Sequence, residues 1–425
     1  MGGALFAALA GPDSSHAQAI QQSPVEVVTT QAATGDGGNS WGGHQTRVVR
    51  TADGVFTAYT VESAGPFARQ WRLAHRHSDG TWRVVAVGGA GKDPVNLLAA
   101  PSGTLYVIGW PEGVGTVWAL RFRDGATTMT SEVIPQVARG HWPYASAGID
   151  AGGNLCVLSS SGGETAGGHF DWACYLPARG QWVTRRSALD YRFAYTYLFP
   201  DPMRQLSLVS TRDVRWEALG YQKPAGEFDY VFDAFGYWRA RDVIAAPLER
   251  LSFAEERQTV DHAAPFLNAQ MDAYLDTDDR MHILYWRRGA TTGGQMQRRH
   301  RIVLPSGVVV HDGELPSDAG WHCRIFQDAD ERYYLLGSAG LLYPMDPDGV
   351  GFGTPWTLDL GGFPVEYSGF GISVPRTGTP LGGSMDVVFP AGDGTHWIYF
   401  RIDLPARVAQ HPSRVIDSNT PRFRR

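Results

Sequence analysis

The sequence predicts an all-β fold: a seven-bladed β-propeller of four-stranded antiparallel blades. Three observations predict it. One turn chemistry recurs seven times at a step of about 50 residues, the period of a propeller blade. Helical periodicity is nearly absent. The composition of the 425 residues favours turns and rings, with 51 Gly, 14 Trp, 12% aromatic residues and only 19% charged ones.

The recurring turns open at Asp53, Ser102, Gly153, Met203, Asp279, Asp330 and Gly383. Each places a polar or Gly-containing pair before a short apolar run such as VFTAY, TLYVIG or MHILYW. The step from Met203 to Asp279 is longer than the others. A propeller absorbs the whole length as one domain, because each blade buries its faces against its neighbours. The expected organisation is a signal remnant or disordered tail over residues 1–24, the propeller over 25–405 and a polar C-terminal tail over 406–425.

Blade 1 sets the pattern. Residues 45–50, 55–61, 71–76 and 82–87 read as its four strands, with Ser78-Asp79-Gly80 as the hairpin turn between the last two. Equivalent turns fall at Asp124-Gly125, Arg179-Gly180, Phe235-Gly236, Ser306-Gly307 and Asp348-Gly349. Only residues 243–258, inside the long fourth unit, suggest a short helix. The seventh unit supplies residues 368–374, 385–389 and 395–402 and then runs out. A closed ring should not leave a raw sheet edge, so residues 25–28 are expected to add the missing outer strand.

Composition also bounds the partners. A net charge of −6 argues against nucleic acid, which needs a basic field. No stretch reaches the ~18 apolar residues of a membrane span. Residues 4–19 pair a short apolar run with small residues in an A-x-A-like spacing, which points to a secreted or periplasmic protein. Of the three cysteines, Cys156 and Cys174 fall on consecutive predicted strands and can pair. Cys also packs well as a small hydrophobe, and two buried thiols are the expected state. Three cysteines make no disulfide scaffold.

In a propeller, inner-strand starts and second-strand ends meet at one mouth. The starts include His44-Gln45, His141-Trp142-Pro143-Tyr144, Tyr195-Thr196-Tyr197, Asn268-Ala269-Gln270 and Trp321-His322-Cys323-Arg324. The ends include Trp110, Thr211-Arg212-Asp213 and Trp286-Arg287-Arg288. Trp and Tyr rings cover sugar faces, and Arg grips a carboxylate with two parallel hydrogen bonds. The set therefore suits an anionic polysaccharide, with Trp142, Tyr144, Arg215, Gln270, His262, Arg324 and Trp321 as candidate binding residues. His141, His169, Tyr195, Tyr197 and Arg212 are the candidate catalytic group. They fit β-elimination on a uronic acid: Arg neutralises the carboxylate, a His or Tyr removes the C5 proton, and a Tyr protonates the leaving oxygen.

The seven units, the turn-plus-strand pattern and the His…Tyr…Arg order resemble the BNR-type seven-bladed propeller lyases. These are the ulvan lyases of polysaccharide lyase families 24 and 25 and related rhamnose–glucuronate lyases. The resemblance spans residues 40–405 as pattern rather than identity. It implies His141, His169, Tyr195 or Tyr197, and Arg212 as the elimination residues, with a monomer acting on an anionic polysaccharide. No cofactor is required. The resemblance admits a structural Zn or Ca ion, with His262, His322 and Cys323 as candidate ligands, although their spacing is not that of a tight zinc motif.

Two other readings stand beside this one. A sialidase-like glycosidase would use a carboxylate pair such as Asp272 and Glu366. Its S-x-D-x-G-x-T-W turn has one near match, Ser78-Asp79-Gly80-Thr81-Trp82. A non-catalytic glycan-binding propeller is the third reading, since one fold hosts many functions.

Overall fold

The computed structural model describes residues 19–35, 37–64, 69–123, 125–140, 142–223, 225–256, 267–289, 292–365 and 369–405. Seven antiparallel sheets surround a central channel. Blade 1 runs outward as Val48–Thr51, Gly54–Glu62, Arg69–Arg76 and Trp82–Ala90. The innermost strands of blades 2 to 7 are Asn96–Ala99, Ser146–Ile149, Phe193–Pro200, Leu267–Leu275, Cys323–Gln327 and Gly371–Ile372. Among the described residues no helix is long and apolar enough to cross a membrane.

The repeat has a local chemical cause. In blades 1 to 6 the inner hairpin turn places one residue in the left-handed region: Gly54, Gly103, Gly153, Arg204, Asp279 and Glu331. In several blades an aspartate just before the turn holds it. Asp150 Oδ1 accepts from the backbone of Gly152 (2.7 Å) and Asn154 (2.9 Å), and Asp276 Oδ1 from Asp278 (3.0 Å) and Arg280 (2.7 Å). An Asx turn of this kind needs only residues within the turn itself, so it shows in sequence.

Burial falls from channel to rim. The inner strands of blades 2, 3 and 6 are wholly buried, whereas the outer strand of blade 2, Ala126–Val133, is almost wholly exposed. Core clusters bridge neighbouring blades: Phe56, Trp71 and Leu73 of blade 1 pack with Leu97, Val107 and Trp118 of blade 2. The ring closes as expected. Gln21–Gln22 and Glu26–Thr29 both pair with the third strand of blade 7, His396–Asp403, with Glu26 opposite Tyr399. Glu26 also accepts from Arg76 (2.6 Å) and Trp82 Nε1 (2.8 Å), tying the closing strand to blade 1.

Three expectations need correction. Residues 243–258 hold no described helix. Asp242 starts a single turn, Pro247 stops it, and Glu249–Glu255 is the outer strand of blade 4. Phe235-Gly236 is not a turn but lies inside the strand Ala234–Ala240. Glycine is needed there because a Cβ would stand 2.4 Å from the Trp238 ring. Cys156 and Cys174 are bonded rather than free. They lie directly opposite each other on adjacent strands of blade 3, with Cα atoms 4.1 Å apart.

One feature shapes the channel. After its inner strand, blade 7 sends a 3-10 turn, Pro375–Thr377, across to the inner strands of blades 2, 3 and 4. Gly378 follows in the left-handed region (φ 87°), where a Cβ would lie 1.7 Å from the Ala99 carbonyl oxygen. Arg376 of this turn donates to the His44 carbonyl (3.0 Å), and its guanidinium stands 5.1 Å from the Tyr197 ring.

Candidate active site

The cavity measures about 820 Å³ and lies where the inner strands begin. Antiparallel pairing puts the start of each inner strand beside the end of the second, so both contribute. Blade 1 supplies His44, blade 3 Trp142 and Tyr144, and blade 4 Arg192, Tyr195 and Tyr197. Blade 5 adds Gln270 and Trp286, and blade 6 adds Trp321 and His322. The insertion between the second and third strands of blade 4 contributes Phe228, Tyr230 and Phe232.

One wall is aromatic. Tyr195 packs its ring against Trp41 (6.1 Å), His44 (5.7 Å), Tyr144 (5.5 Å) and Phe232 (5.8 Å). Trp41 in turn meets Trp142 at 6.2 Å, and the Lys92 ammonium stands 3.7 Å above the Trp142 ring. Tyr144 and Tyr195 both have positive φ, 46° and 58°. Tyr195 sits at a register shift between Ala194 and Tyr197, which turns its ring into the cavity. Such strain persists only where the surroundings hold it, and it concentrates at functional sites.

Beside this wall lies a charge cluster. Arg192 donates to Glu164 (Nη1, 2.8 Å) and Asp213 (Nη2, 2.8 Å), and its guanidinium stacks 5.0 Å from both the Tyr144 and Tyr230 rings. Burial works against the Arg192 charge, but Asp213, Tyr144 and Glu164 outweigh it and the guanidinium stays firmly protonated. Burial, with a contribution from Glu164, pushes Asp213 up to about 6 despite Arg192. Glu164 goes the other way: Arg215 and Arg192 overcome its desolvation and lower it. Burial and the Asp213 charge raise Tyr144, so its phenol keeps its proton.

The floor is a buried network. Tyr197 donates to the Met271 carbonyl (2.6 Å) and accepts from Arg324 (2.8 Å), and burial pushes its phenol up to about 12. Arg324 also reaches Asp272 (3.0 Å) and the carbonyls of Phe370 and Gly43 (2.5 Å each). It thereby joins blades 4, 5, 6 and 7 to the segment before blade 1. His44 faces the Ala145 carbonyl at 3.2 Å. Burial and the charges of Arg376, Arg47 and Arg324 push its pKa down to about 3, so the ring is neutral.

Of the residues singled out in the sequence, Trp142, Tyr144, Tyr195, Tyr197, Gln270, Trp321 and His322 line this cavity. His141 and His262, and Glu366 of the glycosidase pair, lie outside the described residues. Arg212 does not line the cavity: it donates to Asp233 (2.7 Å) and Glu255 (2.6 Å), carboxylates that offset its charge. Arg324 holds the floor rather than the cavity surface, and Arg215 backs Glu164 at 3.2 Å. His169 stands behind Ser161. The same Nε2 faces Ser161 Oγ (2.8 Å) and Asp171 (3.2 Å), so the imidazole cannot relay a proton between them through its two nitrogens. Asp272 is bound to Arg324 in the floor. His322 and Cys323 do not act together. His322 lines the cavity with its pKa pushed down to about 3 by burial, whereas Cys323 points into the core and burial pushes its thiol up to about 12. Among the described residues no group of three or more His, Cys, Asp or Glu could hold a metal ion.

The sequence reading missed Arg192, Glu164 and Trp41. Arg192 precedes its inner strand by one residue, just outside the window of strand starts. Glu164 sits in the hairpin loop between the second and third strands of blade 3, where only pairing with Arg192 and Arg215 marks it.

No protein-family model matches the chain, and no curated protein matches it by sequence. Solved structures do match in shape. The chain is similar to the crystal structure of the polysaccharide lyase Uly1, at 10% identity over 91% of this chain and 100% of that one, with a TM-score of 0.59. It is similar to BBS1N in complex with ARL6DN, at 10% identity over 92% and 99%, with a TM-score of 0.50. An α-L-arabinanase of Penicillium chrysogenum complexed with arabinobiose follows at 10% identity over 72% and 93%, with a TM-score of 0.43. At such identity the likeness establishes the propeller fold, and the chemistry has to be argued from the cavity.

Proposed function

We propose that the cavity is a glycan-processing site that cleaves a uronate-bearing polysaccharide by β-elimination. The observation that carries this reading is the meeting of Trp41, Trp142, Tyr144 and Tyr195 with the Arg192 guanidinium in one cavity. Flat rings pack the faces of sugars, and a guanidinium pairs a carboxylate. Arg192, not Arg212, takes the carboxylate of the substrate. Its exchangeable partner is Glu164, whose side chain is 41% exposed, whereas Asp213 is buried. Neutralising the carboxylate acidifies the C5 proton. Tyr195, as the phenolate, takes that proton and becomes the phenol, the C5–H electron pair becomes the C4=C5 double bond, and the C4–O electron pair leaves with the oxygen. Tyr144, held protonated, gives its proton to the leaving oxygen. The Cys156–Cys174 disulfide suits a protein that works outside the reducing cytosol, secreted or in the periplasm. The fold likeness to a polysaccharide lyase agrees with this reading.

A second reading rests on one observation. Asp213 and Glu164 share Arg192 yet titrate in opposite directions from their ordinary values. Carboxylates split in this way can serve as acid and base in hydrolysis. Incubation with a panel of uronate polysaccharides separates the readings. Ultraviolet absorbance from a new C4=C5 bond supports elimination, new reducing ends without absorbance support hydrolysis, and binding with neither product makes this a recognition module.

A further inference from the structure

Glu164 is carried by the turn Gly163-Glu164-Thr165-Ala166-Gly167, between the blade 3 strands Leu155–Gly162 and Gly168–Leu176. A Cβ on Gly163 would stand 2.5 Å from the Gly168 backbone, and one on Gly168 would stand 2.4 Å from the Tyr191 carbonyl oxygen. Only glycine lets the loop lie this close to the entry of blade 4. Its backbone is docked there: Arg192 N donates to the Gly163 carbonyl (3.1 Å) and Arg215 N to that of Glu164 (2.9 Å). The same two arginines share the carboxylate. Oε1 accepts from Arg192 Nη1 (2.8 Å) and Oε2 from Arg215 Nε (3.2 Å). The Tyr230 ring lies 5.0 Å from the first guanidinium and 5.4 Å from the second. Asp213 keeps the rest of Arg192, its carboxylate on Nη2 (2.8 Å) and its carbonyl on Nε (3.1 Å). Nη1 is therefore the donor that an incoming ligand can gain, and Glu164 holds it.

We propose that Glu164 is a built-in competitor: it occupies the place of an incoming carboxylate at Arg192 Nη1 and passes to Arg215 when such a ligand enters. The natural ligand rests on the glycan reading above; the exchange between two arginines does not. The loop backbone stays docked, and only the half-exposed carboxylate end turns. One carboxylate replaces another at Arg192, so the charge around that guanidinium is unchanged, and Glu164 keeps a partner throughout. The device lowers the affinity for a ligand by the strength of the bond that Glu164 gives up. Arg215 acts here as a positioning residue, through Glu164 and not on the ligand.

Two measurements on the full chain test this. Half-exposed ion pairs add little to stability, so Glu164→Gln should fold as the parent does. The first measurement is thermal unfolding in sodium acetate against sodium chloride at equal ionic strength, for the parent and for Glu164→Gln. A larger acetate response in Glu164→Gln is the expected result, because its Arg192 no longer has an internal carboxylate to displace. An equal or smaller response overturns the competitor. The second is affinity for a uronate oligosaccharide. Glu164→Gln should bind it roughly tenfold tighter than the parent, the scale of one charged hydrogen bond. Weaker binding would make Glu164 a ligand contact and overturn the proposal. Arg215→Gln should weaken binding in the parent, where Glu164 loses its second partner, and change nothing once Glu164 is Gln. Equal weakening in both backgrounds overturns the handover. If acetate distinguishes parent from Glu164→Gln while no uronate ligand binds either, the exchange stands and the glycan reading is what fails.

Discussion

Arg192 and Arg212 are both buried and both paired to carboxylates, yet their replacement should have different consequences. Asp233 beneath Arg212 is fully buried. Removing the guanidinium strands that charge, at a cost of about 3–5 kcal/mol. Arg212→Ala should lower the urea midpoint sharply, and any lost turnover should follow lost fold. Arg192→Lys keeps a positive charge for Asp213 but not the planar fork that grips a carboxylate. It should leave the thermal midpoint near that of the parent and cut kcat/KM on a uronate substrate by about a hundredfold or more. Tyr144→Phe keeps the ring wall and loses the acid, so its rate should fall roughly 10²–10⁴-fold with unchanged substrate affinity. The difference between the two arginines was not legible in sequence. Both stand near a strand terminus beside a carboxylate, and what separates them is Asp233, which the blade 4 insertion brings from further along the chain.

Whole elements explain what sequence does reveal. The recurring turns were visible because an Asx turn with one left-handed residue is written in four or five consecutive positions. The aromatic wall was visible because strand starts follow those turns at fixed distances. The bulge at Tyr195 and the charge cluster were not, because they depend on which strand the insertion lies against. The insertion offers its own test. Phe228 is 58% exposed and lines the cavity. Phe228→Ala should leave stability unchanged and raise KM by roughly three- to tenfold, the worth of one ring contact. Blade 5 carries a different device. His282 lies between Asp276 (3.0 Å) and His300 (3.0 Å), all deep in the blade. Burial lowers the pKa of both histidines, with the neighbouring His282 charge adding to the effect at His300. Folded protein then binds fewer protons than unfolded chain below pH 6.5, the ordinary value, so this contribution is present above 6.5 and lost as the pH falls. Unfolding at pH 7 and pH 5 should show a loss that is smaller in His300→Gln.

At the scale of the molecule, closure of the ring is the feature that sequence logic handled best. A final unit one strand short, and an apolar run before the first, could only satisfy each other. Truncation through residue 29 should therefore leave the strand His396–Asp403 as an open edge. The expected result is a lower thermal midpoint and concentration-dependent association by light scattering, since bare edges recruit other chains. A truncated protein that stayed monomeric and equally stable would show that the closing strand is dispensable.

That closure also sets a timetable. Glu26 lies opposite Tyr399, so the propeller's first strand must wait for its last. Contacts between such distant residues form slowly, because the intervening chain has to be ordered first. During synthesis every blade but the seventh can assemble as its residues emerge, while the opening segment stays loose. A chain that cannot lock its ring until nearly all of it has been made gains the stability of the closed propeller in one late step.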